Sequence, residues 1–444
     1  MRLLEPMKKL LVFDSWTKGS SHILPLISPF RKKGWQLVLV HLGSWGDDLG
    51  RPVEENFSGL DVRDISRYSG FSSILVEERP TAVLLLSTEP LAHRAFQRYC
   101  LKKNIPTVHL YHGLMSVQSY ADLTVSGAGI INHLRWVTGR VIRSLHFVLP
   151  AYIESLFRTQ ASLKEWWSFL IEILQRIRGI RPVKSPADTI PSHVIVFNDF
   201  DKVHALEKYV VSSNRISAAG VPDLIKFQKI QRFIGQFIKE DTLKKKYIVY
   251  IGTGPRGVKS AFSDISEYVH HLLRTKTLVE KIGKIFILKP HYSMHQKIVE
   301  YLSESGYALI LCEDQDFVDY LVNSAGAIVE PSSAAILPAL IGKPLFFAQY
   351  QSLQGLKFGD VLISYPKAAT LRSDNDFHLL GEAYCEADVG KTLAWIENTA
   401  GPMPAEQMPD RVAAIVEEIV SKKMETIAYT NRRYKNATTN CEKV

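Results

Sequence analysis

Two short polar motifs interrupt an otherwise apolar stretch, and each stands where a strand pattern gives way to a helix pattern. Ile285-Phe-Ile-Leu-Lys-Pro-His291 ends in a cation and an imidazole; Gly326-Ala-Ile-Val-Glu330-Pro-Ser-Ser333 ends in a carboxylate and a serine pair. Pro331 suits the first turn of a helix, so the hydroxyls of Ser332 and Ser333 and the unpaired amides of that turn can converge on an anion such as phosphate. Lys289 and His291 would add charge-assisted contacts to the same anion. Taken alone, Ser332 reads more readily as a simple helix cap, and His291 as a structural histidine. What favours a ligand is that the two motifs close strands of one sheet about 40 residues apart, roughly one βαβαβ passage.

The elements around these motifs are short apolar runs bounded by turn residues, with amphipathic segments of about a dozen residues between them, a pattern that predicts parallel strands buried on both faces. Strands are expected over residues 247–251, 285–289, 307–312, 326–329 and 343–347, with ligands outside their carboxyl ends. The first of them runs into Gly252-Thr253-Gly254-Pro255-Arg256-Gly257, a formal dinucleotide fingerprint. More loop residues precede the next helix, near Ala261, and the next strand ends without a ribose-binding acid, so the match is weak. As a phosphate loop it is natural: Gly252 and Gly254 allow close backbone approach, and Arg256 or Lys259 can neutralise a pyrophosphate.

The first half repeats the rhythm, with strands expected at 9–13, 36–42, 81–86, 107–111 and 193–197. The first ends in Asp14 and a polar, glycine-containing loop through Ser20 and Ser21, which is either a ligand-facing loop or an ordinary capped turn. The fourth ends in Tyr111-His112-Gly113, where Gly113 permits a sharp bend and His112 can project from the sheet edge. A transfer reaction that deprotonates a hydroxyl needs a base, and His112 is the candidate, with Asp14 and Glu89 as rivals.

The pattern in the second half resembles the GT-B glycosyltransferases that build bacterial surface polysaccharides, in particular those with a His-Pro and a Ser-Ser motif, such as bacterial sialyltransferases, Kdo transferases and CDP-glycerol glycerophosphotransferases. Here His291 follows its proline. The resemblance implies that His291, Ser332 and Ser333 hold the donor phosphate, that Glu330 meets the nucleotide ribose, and that His112 faces the donor domain. It implies an α/β fold of GT-B type, two Rossmann-like doubly wound domains facing across a cleft. Residues 1–220 would form the acceptor domain, with a helical insertion at 126–190, residues 221–425 the donor domain, and 426–444 a polar tail. The implied activity is inverting, metal-independent transfer from a CMP- or UDP-linked sugar to a glycan or lipid-linked acceptor of capsule, O-antigen or lipopolysaccharide. The nucleotide sugar is a substrate, and no cofactor is expected. A UDP-N-acetylhexosamine 2-epimerase and an NAD-dependent oxidoreductase are the alternatives.

Composition bounds these readings. At 444 residues the chain is long enough for two domains, and 46% hydrophobic with 22% charged residues describes a globular protein. The net charge of +9 suits anionic partners. Four widely spaced cysteines with no CxxC imply neither a zinc site nor a disulfide framework. No run of apolar residues is long enough to span a membrane, and a cytoplasmic location is expected. Residues 126–190 hold nine basic against four acidic residues, interleaved with Trp136, Phe147, Tyr152, Phe157, Trp166, Trp167 and Phe169. Such helices suit an anionic membrane surface, here the inner membrane, or pack on the first domain. Nothing accompanies the charge that reads nucleic acid.

Overall fold

The computed structural model describes residues 7–15, 22–45, 54–57, 59–114, 144–177, 190–209, 211–239, 245–254, 258, 261–381 and 388–441. Continuous apolar runs became buried strands. The first sheet contains β1 (Lys8–Phe13), β2 (Trp35–His41), β3 (Glu55–Phe57), β4 (Leu60–Asp64), β5 (Ala82–Leu85), β6 (Thr107–Leu110), β7 (His193–Val196) and β8 (Ile216–Ala218). Their order is β3-β4-β2-β1-β5-β6-β7-β8, all parallel except the β3–β4 pair. The second sheet contains β9 (Tyr247–Ile251), β10 (Ile285–Lys289), β11 (Ser324–Val329), β12 (Leu345–Ala348) and β13 (Ala368–Leu371), ordered β10-β9-β11-β12-β13 and wholly parallel. Both sheets grow outward from their first strand in one direction and then reverse, at β1/β5 and at β9/β11, as in doubly wound α/β domains. The α/β class and the two Rossmann-like doubly wound sheets expected from the sequence are observed.

Several elements differ from expectation. The run 307–312 contributes only a parallel bridge between Leu311 and Leu288, because Tyr307 and Ile310 face solvent and only its end reaches the sheet. β3, β4, β8 and β13 are strands where none was expected. The polar tail is helical: the last helix runs unbroken from Met408 to Cys441, since no glycine or proline follows Pro409 to stop it.

The helices that matter below are α1 (Leu91–Lys102), α2 (Leu149–Arg158), α3 (Leu163–Ile177), α4 (Asp199–Tyr209), α5 (Pro222–Lys226), α6 (Ile265–Lys281), α7 (Tyr292–Ser305), α8 (Val389–Ala400) and α9 (Met408–Cys441). One apolar core joins the two sheets, with Leu10, Val12 and Val196 of the first in the same cluster as Val249, Ile251 and Val329 of the second. The chain after α5 is tied to the second sheet by Gly235 N–H to the Leu340 carbonyl and Phe237 N–H to the Ile341 carbonyl, both 2.9 Å. At Gly342 the backbone has φ +94° and a Cβ would lie 2.6 Å from the Ile238 nitrogen, so a side chain is excluded both by conformation and by space. Helices α8 and α9 return to the first sheet: Asn198 donates to the Thr399 carbonyl at 3.0 Å, and Arg411 to the Ala219 carbonyl at 2.7 Å.

Helices α2 and α3, the described part of the insertion, pack on α1. Tyr152, Leu156 and Phe169 are buried with Phe96 and Tyr99. Arg94 grips Glu172 with contacts of 2.6 and 2.7 Å, and Arg98 reaches Glu165 at 2.8 Å. Trp136, Arg135, Arg140, Arg143, Arg178, Arg181 and Lys184 lie outside the described residues.

Candidate functional site

The strand order β10-β9-β11 places three loops side by side at the carboxyl edge of the second sheet: Gly252 to Gly254 after β9, Pro290 and His291 after β10, and Glu330 to Ser333 after β11. This is the point where the strand order reverses, and there the chains leaving neighbouring strands part to opposite faces and open a crevice.

His291 caps helix α7. Its Nδ1 accepts from the Ser293 amide at 3.3 Å and lies 2.7 Å from the Ser293 hydroxyl. With Nδ1 committed as acceptor, the neutral ring carries its proton on Nε2. That edge faces the β9 loop: a Cβ on Gly254 would lie 3.4 Å from both Cε1 and Nε2. Burial, together with the Lys289 and Lys226 ammoniums, holds the imidazole below its ordinary value, so the neutral Nε2–H form is favoured at neutral pH.

Lys289 and Lys226 share one counter-ion. The two ammoniums lie 2.7 Å from opposite oxygens of Asp314. Burial opposes ionisation of Asp314, but the hydrogen bonds from Lys226 and Lys289 outweigh it and hold the carboxyl below its ordinary value. Lys289 and Lys226 thus stand as two cations beside His291, with Asp314 and Asp223 as their neighbouring carboxyl groups.

Ser332 occupies the N-cap position of a 3-10 turn, Ser333–Ala335, that continues into the helix Ile336–Leu340. Its backbone is extended and its hydroxyl makes no capping hydrogen bond, so the cap that a lone serine would suggest is not its role here. Ser333 bonds Asp223 of α5, whose carboxyl is pushed up by burial against that bond and the Lys226 charge.

Glu330 is placed differently from the ribose contact expected for it. The side chain is fully buried. One oxygen accepts from the Tyr250 hydroxyl at 2.6 Å and the Tyr268 hydroxyl at 3.1 Å, and the other from the Thr253 amide at 2.8 Å. Thr253 also donates its hydroxyl to the Pro331 carbonyl at 3.0 Å. Glu330 thus welds the β9 loop to the end of β11 from beneath. A Cβ on Gly252 would meet the Tyr268 hydroxyl at 2.7 Å, so Gly252 serves the same weld. Arg256 and Lys259 lie outside the described residues.

At the edge of the first sheet, His112 follows β6. Its Nδ1 lies 2.7 Å from the Leu86 carbonyl, an acceptor only, so Nδ1 carries the proton and Nε2 the lone pair. A buried relay lies behind it: Thr88 bonds Tyr209 at 2.9 Å, Tyr209 bonds His109 Nδ1 at 2.8 Å, and His109 Nε2 reaches the same Leu86 carbonyl at 3.3 Å. Burial drives the His109 imidazole well below its ordinary value and keeps it neutral. Asp14 lies at the same edge but is buried, its carboxylate accepting from the Ser15 amide at 2.7 Å and lying 3.3 Å from His93 Nε2 of α1. Glu89 bonds Lys208 at 2.7 Å. Among the described residues no group of three or more His, Cys, Asp or Glu is placed to hold a metal ion.

The sequence reading missed Lys226, Asp223 and Asp314, which reach the site from a linker helix and a loop, and no spacing rule connects them. It missed the supports of Glu330 as well. The available signal was Tyr250, a phenol within a buried strand, which requires a polar partner.

No protein-family model matches the sequence, and no curated protein does. Solved structures align over nearly the whole chain. The wall teichoic acid polymerase TagF is 13% identical, with a TM-score of 0.48, over 95% of this chain and 90% of that one. The UDP-GlcNAc 2-epimerase from Methanocaldococcus jannaschii is 11% identical, with a TM-score of 0.44, over 93% and 100%. The S. aureus MnaA-UDP co-structure is 12% identical, with a TM-score of 0.44, over 90% and 94%. No residue role is carried over from any of them.

Proposed function

We propose that the chain is an inverting glycosyltransferase that takes a sugar from a CMP- or UDP-linked donor and passes it to a surface-glycan or lipid-linked acceptor, with no metal required for the transfer. The observation that carries this is the convergence of a glycine loop, a neutral histidine with its proton on Nε2, two lysines and a serine turn on one crevice. Such a set suits a phosphate leaving group: His291 Nε2–H and the amides near Ser332 and Ser333 donate to its oxygens, and Lys226 and Lys289 offset the charge that develops as the sugar–phosphate bond breaks. His112, with its lone pair on Nε2, takes the proton of the acceptor hydroxyl as the new carbon–oxygen bond forms on the opposite face of the sugar.

The test is a thermal-shift series with CMP, CDP, UDP and NAD. A nucleotide at 100 times its dissociation constant stabilises the fold by about 2.7 kcal/mol. His291→Ala, and separately Ser332→Ala with Ser333→Ala, are expected to weaken binding by about 1.5–3 kcal/mol, or roughly 10- to 150-fold, with little change in the unliganded midpoint. Wild-type affinity in both variants ends the assignment. Turnover of UDP-N-acetylhexosamine without any acceptor would instead favour an epimerase.

A further inference from the structure

Behind His112 lies a second histidine that the proposed transfer does not use. His109 of β6 is buried, and burial keeps its ring neutral. It shares an acceptor with His112: the Leu86 carbonyl lies 2.7 Å from His112 Nδ1 and 3.3 Å from His109 Nε2. A carbonyl only accepts, so His109 carries its one proton on Nε2 and must accept on Nδ1. The donor there is the Tyr209 hydroxyl, at 2.8 Å. Having given its proton to His109, the phenol accepts in turn from the Thr88 hydroxyl at 2.9 Å. Thr88, Tyr209, His109 and Leu86 are all buried, so no water competes within the row and every bond in it has one direction. It runs from Thr88 through Tyr209 and His109 to the carbonyl that holds His112.

We infer that His109, set by Tyr209, is a positioning residue for His112: by occupying part of the Leu86 carbonyl it limits how strongly that oxygen can hold an imidazolium, and so keeps His112 ready to take the acceptor proton. The physical reason is polarisation. An oxygen that already receives one N–H has less negative charge to offer a second, while His109, because it accepts from Tyr209, is the stronger donor on its other edge. The Leu86 carbonyl cannot pass a proton on, so the two rings exchange none and the row acts on His112 only through this shared oxygen. The other titratable groups at this edge are His22, with its ring centroid 6.2 Å from that of His112, Asp14 after β1, Glu89 with its partner Lys208, and His204, which lies 3.3 Å from the Tyr111 hydroxyl. All of them are retained in the variants below. The inference deepens the transferase reading and rests on His112 being its base.

The experiment follows His112 by ¹⁵N–¹H NMR of the full chain labelled in its histidines, with the His112 signals identified by their loss in His112→Ala. His109→Phe removes the competing N–H, and the His112 titration midpoint is expected to rise by about half to one pH unit. Tyr209→Phe leaves His109 in place as a weaker donor and is expected to give a smaller rise; it carries the test alone where His109→Phe does not fold. His109→Gln, whose side-chain amide can donate from the place of Nε2, is expected to restore the wild-type midpoint. The acid limb of the pH–rate profile should move with the titration. A midpoint unmoved or lowered in both phenylalanine variants overturns the inference, as does a rise in His109→Gln equal to that in His109→Phe. The titration needs neither donor nor acceptor substrate, so it fails independently of the transferase reading. A shifted titration beside an unmoved pH–rate profile would overturn His112 as the base and leave the coupling between the rings standing.

Discussion

Replacing Glu330 is expected to separate the weld beneath the β9 loop from a direct ligand contact. In the native fold its two oxygens satisfy three donors, the hydroxyls of Tyr250 and Tyr268 and the amide of Thr253. Glu330→Ala removes all three acceptors at once. Tyr250 has a fallback, since its hydroxyl lies 3.4 Å from His271 Nε2, but Tyr268 and Thr253 have none in reach. Two orphaned buried donors at about 1–3 kcal/mol each, with the small cavity, give a loss of about 3–5 kcal/mol. Glu330→Gln behaves differently. Its amide oxygen can accept from Thr253 while its NH2 donates to the tyrosine oxygens and Tyr250 turns to His271, so only the Tyr268 hydroxyl proton is left without an acceptor and the loss is about 1–3 kcal/mol. Urea denaturation at pH 7 checks both figures. A pH series adds an independent arm. Burial, opposed by the three hydrogen bonds, raises the Glu330 carboxyl above its ordinary 4.5. The folded state therefore holds this proton more tightly than the unfolded one. The resulting stability is present below 4.5 and is lost as pH rises through the folded value. The Gln variant has no such loss, so its deficit against wild type narrows with rising pH. An Ala variant with the wild-type midpoint would refute the weld.

Two further outcomes are expected. His112→Ala should lower turnover about 100-fold or more with nucleotide affinity nearly unchanged, while Asp14→Asn, whose carboxylate is held inside the sheet edge, should act mainly on stability; steady-state kinetics beside nucleotide titrations distinguish them. His271, pushed down to about 4 by burial, is neutral in the fold and protonates first in the unfolded chain, so up to about 3 kcal/mol is lost as pH falls from about 6.5 to 4; urea midpoints of His271→Gln should show a shallower acid slope across that window.

The strands were legible because both faces of a parallel sheet are buried, and runs such as Leu10–Phe13 and Ile248–Ile251 leave no other reading. β3 and β4 escaped notice for the converse reason: Leu60–Asp64 alternates buried and half-buried positions and carries two aspartates and an arginine. His291, Ser332 and Ser333 were legible because strand ends are fixed by the strands themselves. Which way Glu330 points was not, since a residue one step past a strand is turned by its tertiary partners. Lys226 could not be found from sequence, because its place beside His291 depends on how the linker helix α5 lies across the second sheet.

Helix α9 also governs the order in which the halves can be completed. Val412, Ala413, Val416 and Val420 lie in the common core, and Glu417 reaches back to Lys8 and, at 3.4 Å, to the indole nitrogen of Trp35. The first sheet is therefore finished by residues made after the strands of both sheets. During synthesis, at about 5–20 residues per second, the emerging amino-terminal half must wait tens of seconds with the flank beside Trp35 and Phe30 uncovered. Through that interval the apolar flank has no native cover, because the residues that bury it have yet to be made.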